Sequence, residues 1–109
     1  MTKSDILKTI SRIKHDKLHN LKMGLAGSYA RGDNKASSDI DIIVDTDLMP
    51  IADMEYIKSK FDGTDVDVLL LGLLKQEDEE MDSFFKEMGL PINNESVYKN
   101  VSKEVVWCE

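Results

Sequence analysis

Cysteine is almost missing: Cys108 is the single thiol in 109 residues. One thiol excludes an internal disulfide and any zinc site built on several cysteines. Positive charge is short as well, with 14 Lys and Arg against 21 Asp and Glu and a formal net charge of −7. Without a basic cluster the chain has no means of tracking a long nucleic-acid backbone. A nucleoside triphosphate stays open as a ligand, because bound divalent ions reverse the local field of an acidic pocket. No apolar run approaches the length of a membrane span. No secretory apolar stretch follows Met1 either; Met1-Thr2-Lys3-Ser4-Asp5 leads straight into an amphipathic pattern. Together these features predict a cytoplasmic protein. Internal repeats and Gly/Ser/Pro-rich linkers are absent too, so residues 1–109 are expected to form one domain around one core.

What is present is periodic. Ile6, Leu7, Ile10, Ile13 and Leu18 recur at helical spacing, predicting a first helix to about Leu18, capped by Thr2 or Ser4. His15 and His19 lie four apart, but no third ligand matches them and charged residues flank both, so they read as a solvated face. Lys22–Ala26 reads as a short buried strand, and Tyr29–Asp33 as one helical turn stopped by Gly32. Pro50 suits the first turn of a helix whose buried stripe is Ile51, Met54, Ile57 and Phe61. Gln76–Glu80 suits the acidic first turn of another, with Met81, Phe84, Phe85 and Met88 as its apolar face and Gly89 and Pro91 ending it. Asn93–Ser96 caps a last helix with Val97, Val101 and Val105 at i, i+4, i+8. Val105–Cys108 can instead end as an edge strand. Cys108 beside Trp107 reads as packing, since nothing nearby activates the thiol.

Chemistry concentrates in Gly27–Asp41, GSYARGDNKASSDID. Ser28 would stand at the head of a short turn whose unpaired backbone N–H groups suit a phosphate, and Gly27 would let that phosphate approach the main chain. Arg31 can reach the same phosphate or pair with Asp33 or Asp39. Asp39 and Asp41 open an apolar strand, Ile40–Val44, and alternation places both carboxylates and Ile43 on one face. Residues two apart along a strand are separated by about 6.5–7 Å, close enough to converge on one metal centre. Without a cation, two like charges on one face of a core strand raise each other's pKa and lose solvation. Aspartate oxygens are hard ligands suited to magnesium or manganese. Of the three Asp-x-Asp pairs, Asp45/Asp47 falls in a polar loop, whereas Asp39/Asp41 and Asp65/Asp67 sit in apolar strands. In the latter strand, Asp65–Leu71, Asp67 lies deeper than Asp65 and is preferred as the third carboxylate.

Gly27-Ser28, ten residues, Asp39-Ile40-Asp41 and then Asp67 on a later strand resemble the signature of the nucleotidyltransferase superfamily of the DNA polymerase β type. Size and spacing are most similar to its minimal nucleotidyltransferases, short bacterial proteins often paired with a helical HEPN-domain protein. The resemblance is strong over Gly27–Val44 and moderate over Asp65–Leu71. It implies a mixed α/β fold with a small central sheet flanked by helices. It further implies that Asp39, Asp41 and Asp67 are catalytic and hold two Mg2+ ions, and that Gly27 and Ser28 bind the β- and γ-phosphates of ATP. In the minimal family such proteins look like antitoxins that transfer AMP to a tyrosine of a cognate HEPN toxin, an RNase. Larger relatives carry a second domain for the acceptor. In its absence the acceptor comes from a partner protein, from a second copy of the chain, or binds weakly. Two rival functions follow from the same residues: adenylylation of a small hydroxyl compound, and neutralisation of a partner by contact alone.

Overall fold

The computed structural model describes residues 1–108. Helix α1 (Lys3–Asp16) starts at a capping box. The Thr2 hydroxyl accepts from Asp5 N–H at 3.1 Å, and the Asp5 carboxylate accepts from Thr2 N–H at 3.0 Å. The helix stops two residues short of the expected Leu18, which is nevertheless buried. Strand β1 (Met23–Ala26) follows and passes directly into the short helix α2 (Gly27–Arg31), closed by Gly32 at φ 87°. Strand β2 (Ile40–Val44), helix α3 (Ile51–Ser59), strand β3 (Val66–Leu70), helices α4 (Leu71–Glu87) and α5 (Val97–Glu104), and strand β4 (Val106–Cys108) complete the order.

The four strands form one mixed sheet in the order β3-β2-β1-β4. β1 is antiparallel to both β2 and β4, while β2 and β3 run parallel. Alternation divides the core between two faces. Met23, Leu25, Ile40, Ile42, Val44, Val66 and Leu70 pack with Ile6, Ile10 and Ile13 of α1 and Ile57 of α3. Ala26 and Ile43 pack on the other face against Val101 of α5, with Leu69 and Trp107 beside them. A mixed α/β sheet flanked by helices is therefore the fold, as the family resemblance implies.

Several expectations are corrected. Pro50 is the residue before α3 rather than its first turn, and Ile51 is 76% exposed, because the stripe facing the sheet begins at Met54. Helix α4 begins at Leu71, immediately after β3, without a side-chain cap. Gln76–Glu80 is consequently in its middle and not in its first turn. Met81, Phe84 and Met88 are about half exposed, and the one buried residue of α4 is Asp78. Its carboxylate lies 3.7 Å from the Lys99 ammonium of α5, which also holds Asp82 at 3.0 Å. The α4–α5 contact is thus partly ionic. The C-terminus takes the edge-strand alternative: Ser96 caps α5 by accepting from Lys99 N–H, and Val105 turns the chain into β4. Cys108 is half-buried, its Sγ 3.4 Å from the Leu7 carbonyl, consistent with packing.

Candidate active site

Residues of the site come from where β1 ends and β2 and β3 begin. Asp41 is the register partner of Ala26 on one side and of Asp67 on the other. Ala26 is followed by Gly27, so the turn sits over Asp41. Gly27 has φ +74°, and a Cβ there would collide with the Asp41 carboxylate. Glycine is required twice over, by the left-handed backbone and by this approach. Asp39 is exposed just ahead of β2, Asp41 is half-buried within it, and Asp67 is exposed on β3.

One open cleft of about 910 Å³ collects Gly27, Ser28, Arg31, Asp39, Asp41 and Asp67, along with Ser37, Ser38 and Leu69. Val97, Asn100, Val101 and Glu104 of α5 form its further wall. Asp65 does not line it; its carbonyl accepts from Ile40 N–H at 2.9 Å, joining the parallel strands. Between Asp65 and Asp67, the cleft takes Asp67. His15 is exposed and pairs with Asp16, and His19 is exposed beyond the helix end.

Electrostatics single out Asp41. Burial pushes its carboxyl above the ordinary value, and Asp67, Asp39 and Glu104 push the same way, opposed by Arg31. Arg31 is engaged with two carboxylates: its Nε donates to Asp33 at 3.1 Å and its Nη1 to Glu104 Oε2 at 2.9 Å. The other oxygen, Glu104 Oε1, accepts from Gly27 N–H at 3.1 Å. Arg31 thus pairs with Asp33, one of its two expected partners, and with Glu104 in place of Asp39. Among the described residues no three His, Cys, Asp or Glu side chains are grouped tightly enough to hold a metal ion. The three aspartates share a cleft without converging on a point. Asp39 and Asp67 are exposed, where rotamer exchange is cheap.

A nucleotidyltransferase domain model matches residues 5–107, nearly the full chain. The chain belongs to the nucleotidyltransferase domain family. No curated protein matches it. For a nucleotidyltransferase of this size, the residue that sequence reasoning overlooked is Glu104. It lies more than sixty positions from the nearest of the other charged groups of the cleft except Asp67, and ends a helix that reads as an apolar stripe. A signal was available: Val97, Asn100, Val101 and Glu104 recur at i, i+3, i+4, i+7, one face of α5. Among the described residues, no helix is long and apolar enough to cross a membrane.

Proposed function

We propose that this nucleotidyltransferase moves AMP from ATP to a hydroxyl of a partner protein, a tyrosine of a cognate HEPN-domain toxin, and thereby acts as an antitoxin. The observation that carries the reading is the single cleft shared by Gly27, Ser28, Asp39, Asp41 and Asp67. Gly27 and Ser28 would take the β- and γ-phosphates. The donor set suits Mg2+: hard carboxylate oxygens around one cleft, with Asp41 held against its neighbours' charge and in need of a cation. Asp39, Asp41 and Asp67 would hold it, and Mg2+ when bound would offset the charge on the triphosphate. In the transfer itself, the acceptor hydroxyl oxygen forms a bond to the α-phosphorus. The bond from that phosphorus to the α–β bridging oxygen breaks, pyrophosphate leaves, and the hydroxyl proton passes to Asp67. The chain's own work is to position and to place charge.

A protein acceptor is favoured by the surface beside the cleft. Met81, Phe84, Met88, Leu90, Ile92 and Val97 are each about half exposed and lie on α4, the start of α5 and the segment between. Val97 lines both the cleft and a groove of about 350 Å³ between α4 and α5. Exposed Glu77 and Glu80 share a surface hollow with Met81 and Phe84 of the apolar face. An apolar helix with basic flanks fits this surface and would bring its hydroxyl to the cleft at Val97.

Co-expression with a HEPN-domain protein encoded beside it, followed by mass spectrometry of that partner, tests the reading. The expected result is a gain of AMP on tyrosine that disappears in the Asp39→Ala/Asp41→Ala double variant. Neutralisation by contact alone is the second reading. It draws support from the aspartates not being grouped and from Glu104 lying on Gly27. Full neutralisation by the double variant would establish it instead.

A further inference from the structure

We propose that Glu104 gates the nucleotide site, its carboxylate holding the Gly27 N–H and the Arg31 guanidinium until a triphosphate displaces it. The inference rests on the nucleotide reading above and adds a residue that sets affinity. The two oxygens of one carboxylate bridge a main-chain donor and a cation, at 3.1 and 2.9 Å. An incoming phosphate would present the same chemistry, two anionic oxygens, to the same two donors. Competition falls on Gly27, whose one N–H cannot serve Glu104 and a phosphate together, while Arg31 spends two of its five N–H donors on Glu104 and Asp33 and can follow the phosphate with the rest.

Position supports a movable group. Glu104 is the last residue of α5, next to the point where Val105 becomes extended and the chain enters β4. Its side chain is 22% exposed, so a path to solvent exists. Its placement also adds a fourth negative charge to a cleft that already contains Asp39, Asp41 and Asp67. In the gated state the apparent affinity for nucleotide is reduced by the fraction of molecules whose donors are free.

Titration calorimetry of MgATP and of AMP against the full chain and Glu104→Gln tests the gate. The amide keeps the shape but neither pairs with Arg31 as an anion nor repels phosphate. MgATP binding should tighten about tenfold, the scale expected when one charge-assisted contact no longer competes. AMP has no β- or γ-phosphate and should change far less. Unchanged or weaker MgATP binding overturns the gate and makes Glu104 a latch between α5 and α2. Equal gains for MgATP and AMP overturn it too, because they report only the removal of a charge. If the glutamine variant does not fold, Glu104→Asp keeps the charge but is too short to span both donors, and a smaller gain confined to MgATP is expected. Failure of wild type and both variants to bind MgATP would remove the nucleotide site and the gate together. Binding by wild type without a gain in the variants would remove the gate alone.

Discussion

Gly27 and Asp41 share one small volume, and each limits what the other can become. Gly27→Ala should cost about 1–3 kcal/mol from the left-handed backbone alone, and more from pushing the Asp41 carboxylate aside. Denaturant unfolding checks the stability, and loss of MgATP binding checks the site. Asp41→Asn has the opposite effect on stability. Burial and its acidic neighbours raise the folded-state pKa of Asp41 above the ordinary 3.8, so the folded state holds the proton more tightly. The cost of the charge is absent below 3.8 and present in full above the raised value. With a chelator present, Asp41→Asn should therefore melt higher than wild type at pH 7. The difference should close as the pH falls toward 4. The same variant should lose transfer activity. Gly27, Ser28, Asp39 and Asp41 were legible because a turn and a strand close in sequence present them, and strand alternation alone fixes which face Asp41 takes. Glu104 was not legible as a site residue, because its role depends on which side of the sheet α5 packs.

Among the elements, α1 was read almost to its ends because its signals are local: a capping box and an apolar stripe. Thr2→Ala should cost about 1 kcal/mol in a thermal melt. Helix α4 starts earlier than its sequence suggests for a physical reason. An acidic run resembles a first turn, and nothing in the sequence says that β3 feeds a helix with no turn between them. The periodicity of Met81, Phe84, Phe85 and Met88 correctly announces an amphipathic helix, but periodicity does not say what covers the apolar side. Inside the acidic run, Asp78 is buried because Lys99 arrives from α5, seventeen residues beyond Asp82. Lys99→Ala should leave Asp78 without its cation and cost about 1–3 kcal/mol, measured as a lower denaturant midpoint. A smaller loss for Asp78→Asn in the Lys99→Ala background would show that the penalty is the stranded charge.

At the scale of the molecule, two surfaces meet at Val97: an acidic cleft and an apolar face. Phe84 is 52% exposed and contributes little to the core. Phe84→Ser should therefore alter stability by no more than about 0.5 kcal/mol, while greatly reducing the proposed AMP transfer to a protein acceptor. Calorimetry with MgATP should give the wild-type affinity, separating docking from nucleotide binding. The fold also joins distant parts of the chain. β1 pairs with β4, and the Lys14 ammonium donates to the Cys108 carbonyl at 2.7 Å across ninety-four positions. That closure has a bearing on synthesis. The ribosome makes Gly27, Asp39, Asp41 and Asp67 well before Glu104 and the strand behind it. A chain without α5 and β4 would carry its aspartates beside an open edge of β1, ready to pair with another copy. Packing of α5 and β4 covers that edge and brings the Glu104 carboxylate onto Gly27, so that competence and restraint arrive in the same moment.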